Sequence, residues 1–287
     1  MTLPRAGGVE SLVRCLPGAR RLAPARFEHA PPTPGGKSSD DSEAERGVAA
    51  VEQDGRIAFL VSSGEVRVVP VAESDVAARH AAKEFRQAAR YRTRRTMPGV
   101  YWAATTRDFV AFESALERSV LISFDFARTV VGILAQPFRL ESVSLGLNHV
   151  PDFFLRFSDG TAGVVDVSRA ADAQKPERAA QFRHSASFCQ VAGWSYSVHS
   201  ELPPVYLANL LALAAERREL PDAWEARCDQ MLSACAQPQT IGELAATITP
   251  TCLGRRLVLR LLWQGKLWAD LDVLLDDSSQ VWRRLGR

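Results

Sequence analysis

Two short apolar runs, at 57–61 and 66–71, flank Ser62-Ser63-Gly64-Glu65. Strand-like runs separated by a Gly-containing turn predict a β-hairpin. Residues 75–90 read as a short helix that ends in a basic cluster: Lys83, Arg86, Arg90, Arg92, Arg94 and Arg95 against the single acid Glu84. Phe112, Leu116, Val120 and Phe124 recur every fourth residue, which predicts a helix over 107–124 packed on a sheet. Strands are expected at 131–140, 149–157 and 163–168, with Asp159-Gly160 turning the chain between the last two. A second helix is predicted over 176–192, closed by Gly193, and then a strand at 194–199.

From 203 onward the apolar spacing is helical, at 205–217, 221–234, 240–247 and 252–264. Thr240 with Glu243 three residues on is a capping box. Gly265-Lys266 followed by 267–275 predicts a small hairpin or wing. The fold expected is α/β, a mixed sheet flanked by helices, followed by a mostly α, winged-helix-like C-terminal domain. The divisions are a disordered tail at 1–47, a hairpin and basic helix at 48–97, an α/β core at 98–202, and the helical unit at 203–287. The tail is assigned from Pro4, Pro17, Pro24, Pro31, Pro32 and Pro34, Gly35-Gly36, and the polar run from Ser38 to Glu43, which offer little apolar surface against the entropy of ordering.

Composition narrows the class. With 46% hydrophobic and 24% charged residues in 287, the chain matches neither a wholly disordered nor a fibrous protein. Lys plus Arg at 35 against Asp plus Glu at 33 leaves a net charge of +2, so any nucleic-acid surface must be local. Five scattered cysteines with no CxxC pair argue against a disulfide scaffold or structural zinc and are read as buried small hydrophobes. No apolar run reaches the ~18–20 residues that span a bilayer, and the first twenty residues are too broken for a secretory signal. A soluble, cytoplasmic protein with no membrane partner is expected.

The chemistry concentrates between 113 and 168. Strand alternation sets Asp152, Phe154 and Arg156 on one face, while Phe153, Leu155 and Phe157 are expected to face the core. Val164, Asp166 and Ser168 share a face on the next strand, so the hairpin can bring Asp152 and Asp166 side by side. Adjacent carboxylates repel unless a cation lies between them, which points to a hard metal such as Mg²⁺. Glu113 and Glu117, four apart on the predicted helix, offer a third acid over the sheet. Two alternatives stand beside this: Asp166 in a buried ion pair with Arg139 or Arg156, and Glu117 as a solvated helix residue.

Glu113-Ser-Ala-Leu-Glu117-Arg, Phe124-Asp125-Phe126, Val130, Gln136-Pro137, His149-Val-Pro-Asp152-Phe and Val165-Asp166-Val follow one another in order. With Pro98-Gly-Val-Tyr-Trp102 upstream and Gly193-Trp194-Ser-Tyr196 downstream, this string resembles the TnsA-type endonuclease subunit of heteromeric cut-and-paste transposons over roughly 95–215. The resemblance implies a restriction-endonuclease-like PD-(D/E)xK core at 98–202. It also implies Mg²⁺, with Mn²⁺ as the substitute, held by Glu117, Asp152 and Asp166, and Gln136 on the QP strand. The activity implied is cleavage of one strand of double-stranded DNA at transposon ends, beside a DDE-type transposase subunit and an AAA+ regulator ATPase. Two other readings stay open: a catalytically weak assembly and DNA-binding factor of the same complex, and a stand-alone restriction or repair nuclease. The chain departs from the pattern at Ser168, where a lysine is expected to orient water and stabilise charge. Lys175 in the next loop, or Arg169 after a bulge, are the cations within reach along the chain. Arg90, Arg92, Arg94 and Arg95 are expected to meet DNA phosphates. In the C-terminal unit, Arg255, Arg256 and Arg260 could present charge to DNA, while Trp263 and Trp268 are either core or an anchor for a partner protein.

Overall fold

A computed structural model describes residues 39–81, 85 and 97–283, without the side chains of 39–41. Residues 1–38 and the whole basic cluster, Lys83, Arg86, Arg90, Arg92, Arg94 and Arg95, lie outside the described residues.

The chain enters through α1 (Ser39–Asp54) and the hairpin β1 (Arg56–Leu60) and β2 (Val66–Pro70). A 3₁₀ turn (Val71–Glu73) leads to α2 (Ser74–His80). A second hairpin, β3 (Gly99–Ala103) and β4 (Asp108–Phe112), precedes α3 (Ala115–Phe126). Then come β5 (Val130–Ala135), β6 (Phe138–Ser142), β7 (Leu147–His149), β8 (Phe153–Phe157) and β9 (Ala162–Val167). The short α4 (Ala170–Ala173), α5 (Pro176–Ala192) and β10 (Ser195–His199) complete this part. The rest is α6 (Pro204–Ala214), α7 (Asp222–Ala234), β11 (Gln239–Thr240), α8 (Ile241–Ala246), α9 (Thr251–Trp263), β12 (Leu267–Trp268) and β13 (Gln280–Arg283). The described chain is therefore α/β, with mixed sheets flanked by helices.

The expected hairpin at 57–71 forms as an antiparallel pair. The helix at 176–192 has the expected bounds: Pro176 opens it without needing an N–H partner, and Gly193, at φ 73, closes it in the left-handed conformation. The polar run at 39–43, expected in the disordered tail, instead begins α1. That helix buries Gly47 and Val51, and α5 lies close enough that a side chain at Gly47 would collide with Ser187. The helix expected over 107–124 also starts later. Phe112 ends strand β4, and α3 begins after Ser114, whose Oγ accepts from Glu117 N–H as an N-cap.

Two predicted strands are each broken in two. The 131–140 segment divides into β5 and β6 at Gln136-Pro137, where Gln136 takes a positive φ of 41. The 149–157 segment divides into β7 and β8 at Val150-Pro151-Asp152. At the first break the chain passes from the sheet β10-β9-β8-β5 into the antiparallel sheet β2-β1-β6-β7, and at the second it passes back. A proline at each break removes a ladder donor, so neither strand continues straight.

The second sheet is covered on both faces, which corrects the expectation of one core face. Phe153, Leu155, Val165 and Val167 pack with Val120, Leu121 and Phe124 of α3 and run on into the core of the C-terminal helices. Phe154 and Val164 belong to a separate core with Phe138, Phe188 and Trp194 on the α5 side. Trp263 is buried, with its ring centroid 5.3 Å from that of Phe126, so it is core. Cys189, Cys228 and Cys235 are buried as expected, whereas Cys252 is exposed. Among the described residues no helix is long and apolar enough to cross a membrane.

Candidate functional site

The double crossover places Asp152. Its carbonyl accepts from Gln136 N–H at 2.9 Å, and its Oδ2 accepts from Val167 N–H at 2.6 Å. The left-handed turn at Gln136 thus pins Asp152 between β5 and β9. In the β8–β9 register Phe153 faces Val165, so one rung further sets Asp152 opposite Asp166. Asp152 is partly exposed, but its carboxyl is pushed well above the usual carboxylate range. Lost hydration is the first cause, followed by the negative charges of Asp166 and Glu117; the Val167 N–H and the Arg178 charge oppose the rise. Both other acids predicted from the sequence therefore bear electrostatically on Asp152, although 35 residues separate it from Glu117.

Asp166 points toward α5, on the same side as Val164. It is buried, with two donors on its carboxylate: Tyr196 Oη donates to Oδ2 at 2.6 Å, and His149 Nε2 lies 2.7 Å from Oδ1. Burial, then the charge of Asp166, push the Tyr196 phenol far above its ordinary range, so the hydroxyl keeps its proton and donates. Gln181 Nε2 meets His149 Nδ1 at 2.6 Å, and Gln181 Oε1 accepts from Arg178 Nη1 at 3.1 Å. The guanidinium orients the amide, the amide N–H₂ makes Nδ1 an acceptor, and Nε2 is then the protonated nitrogen that donates to Asp166. Neither expected arginine pairs with Asp166. Arg139 bridges to Glu141 at 2.5 Å, and Arg156 donates to the Ala78 carbonyl.

Glu117 is half-buried in the first turn of α3. Its Oε2 accepts from Glu113 N–H at 2.6 Å, and its Oε1 accepts from Ser114 Oγ at 2.8 Å, closing the N-terminus of the helix. Desolvation raises its pKa, and the charge of Glu113 adds to the rise. Glu113 does not share a helix face with Glu117, because it precedes the N-cap; its Oε1 is buried with no hydrogen-bond partner. Ser168, in the expected lysine position, is buried, its N–H donates to His199 O at 2.9 Å, and its short hydroxyl supplies no charge. Lys175 is held by Asp172 at 2.6 Å.

A divalent cation with all-oxygen ligands suits this donor set only in part. Asp152 Oδ1 has no hydrogen-bond partner among the described residues, whereas Glu117 and Asp166 have both oxygens engaged. Among the described residues no group of three His, Cys, Asp or Glu side chains is placed to hold a metal ion. The side chains as they stand thus do not form the expected three-carboxylate centre. Glu117 and Asp166 would have to leave their present partners to complete it.

His149, Arg178, Gln181 and Tyr196 are the members that sequence reasoning left without a role. His149 and Tyr196 stood inside the quoted motifs, and the three-residue spacing of Arg178 and Gln181 marks one face of a helix.

The arginines of α9 are occupied within the C-terminal unit. Arg260 is buried on Glu225 at 2.6 Å and on the carbonyls of Glu216 and Arg218; Arg256 pairs with Glu216 at 2.7 Å, and Arg255 with Asp277. The capping box of Thr240 and Glu243 is present as expected.

Searches of protein-family models and of curated proteins find no significant match to the chain.

Proposed function

We propose that the chain is the DNA-cleaving subunit of a heteromeric transposase, acting on one strand of double-stranded DNA at transposon ends beside a DDE-type transposase and an AAA+ regulator ATPase. Asp152 carries this reading. A carboxyl held at a strand crossover, poorly hydrated and facing other acids, works against folding as an anion. Such groups mark sites of chemistry more often than sites of stabilisation. Mg²⁺ or Mn²⁺ bound by acid oxygens would polarise a phosphodiester and acidify the attacking water. The protein's own part is positional. The backbone donors at Gln136 and Val167 fix Asp152, and the His149–Gln181 relay with Tyr196 fixes Asp166.

In this reading the core is of the restriction-endonuclease type. The C-terminal unit, whose elements run two helices, a strand, two helices and two strands, is read as a winged helix. Since the α9 arginines are already paired, we assign that unit to protein contacts, and duplex binding to the segment carrying Arg90, Arg92, Arg94 and Arg95.

One observation favours a second reading. Glu117 and Asp166 each have both carboxyl oxygens engaged by protein groups and Ser168 brings no charge, as suits a fold that assembles transposase, regulator and DNA without cutting. Cleavage of end-bearing duplex by the reconstituted complex, compared with Asp152→Ala and Asp166→Ala, tests the first reading; equal cleavage by both variants removes it. Calorimetry separates the two. No heat with Mg²⁺ or Mn²⁺, no cleavage, and intact partner binding together establish the second.

A further inference from the structure

Ser168 leaves the site short of one positive charge, and three basic side chains follow it closely in the chain. Arg169 caps the short α4 from an exposed position, where its charge bears on Asp172 and Glu201. Lys175 is committed to Asp172. Arg178, in the first turn of α5, differs from both. It is exposed, with Nη1 on Gln181 Oε1 and the guanidinium 5.5 Å from the centroid of the Phe182 ring. Contacts to the third and fourth residues ahead hold the stem against one face of α5. Its Nε and Nη2 carry no hydrogen bond to the described residues.

We propose that Arg178 supplies the positive charge missing at Ser168, its free guanidinium edge contacting the phosphate that lies at Asp152. The proposal rests on the nuclease reading above. Geometry supports it: Arg178 is the first donor of the relay through Gln181 and His149 to Asp166, the acid opposite Asp152 on the β8–β9 hairpin. Its charge also bears on Asp152. A guanidinium stays charged at any physiological pH and grips phosphate with two N–H groups, so it replaces the charge of a lysine but not a lysine's capacity to pass a proton.

The test uses the full chain in the reconstituted complex with end-bearing duplex, and compares Arg178→Ala, Arg178→Lys, Gln181→Ala and the double variant Ser168→Lys/Arg178→Ala. Single-turnover cleavage should fall roughly 10²–10³-fold in Arg178→Ala, the effect of removing one preorganised transition-state donor. It should recover partly in Arg178→Lys and in the double variant, whereas Gln181→Ala, which breaks the relay and leaves the guanidinium, should lower the rate but not the salt slope of duplex binding. In EDTA, where nothing is cut, Arg178→Ala should weaken duplex binding and lower the salt slope by about one phosphate contact. An unchanged salt slope overturns the proposal. So does wild-type cleavage by Arg178→Ala while cutting still depends on Asp152, or a salt slope lowered as much by Gln181→Ala as by Arg178→Ala, which would make the arginine a structural prop. If the wild-type complex does not cut at all, the nuclease reading fails, and the role proposed for Arg178 fails with it.

Discussion

Tyr196→Phe is the sharpest probe of the acid network, because it removes one atom and keeps the ring. The Asp166 side chain is 3% exposed, and its carboxylate rests on two donors, the Tyr196 hydroxyl at 2.6 Å and His149 Nε2 at 2.7 Å. A hydrogen bond to a charged group contributes ~1.5–3 kcal/mol net, and a carboxylate this poorly hydrated, left with one partner, belongs in the upper half of that range. We therefore expect a loss of about 2–3 kcal/mol. In urea, with a slope of ~2–3 kcal/mol per M, the midpoint should fall by roughly 1 M. Tyr101→Phe is the internal control. The buried Asp125 also accepts from a phenol, at 2.8 Å, but keeps the N–H groups of Ala104 at 3.0 Å and Thr105 at 2.7 Å when the hydroxyl is removed. Its cost should be nearer 1 kcal/mol. Paired urea titrations of the two variants decide the matter. A Tyr196→Phe midpoint indistinguishable from wild type, or a Tyr101→Phe loss as large, would refute the claim that Asp166 depends on its two side-chain donors.

Two further outcomes follow from named contacts. Asp152→Asn keeps an acceptor for the Val167 N–H but cannot ionise. Because the folded-state carboxyl is raised, the folded protein holds a proton that the unfolded chain releases near pH ~4, so wild-type stability falls as pH rises from there through the folded-state pKa. In metal-free buffer Asp152→Asn should be the more stable protein at pH 8, and the gap should close at pH 4; guanidinium midpoints at both pH values check the order, and a less stable variant at pH 8 contradicts it. Arg260→Met strips Glu225 and two carbonyls of their donor and should cost about 3 kcal/mol, the low end for breaking a buried pair because Glu225 is 35% exposed. Thermal unfolding measures this, and a loss under ~1 kcal/mol would mean that solvent replaces the guanidinium.

The parts legible in the sequence are those whose causes lie within a few residues. Helix α5 is bounded by Pro176 at its first turn and by a left-handed Gly193, and both act locally. The same holds for the Thr240–Glu243 box and the Ser62–Glu65 turn. Misreadings arise where a local pattern has two explanations. Phe112 stands four residues before Leu116 and so extends the helical stripe backward, yet Gly99 to Ala103 pair with Asp108 to Phe112 as a hairpin, and Phe112 belongs to the strand. The acids at 40, 41 and 43 look like a solvated tail until the apolar positions after them find α5. Gln136-Pro137 and Pro151-Asp152 mark breaks, but nothing local says that the two segments bend together from one sheet into another.

By its residue order alone the chain determined its α/β character, most helix positions, and the identity of the acids that meet at the β8–β9 hairpin, since periodicity, caps and turn residues act over one or two turns of backbone. The tertiary structure decided which donors meet Asp166. Tyr196 reaches Asp166 from 30 residues away and His149 from 17, across strands and a helix whose neighbours no local pattern specifies. The partner of a charge depends on which faces are pressed together, and that is settled only when both cores close on the sheet.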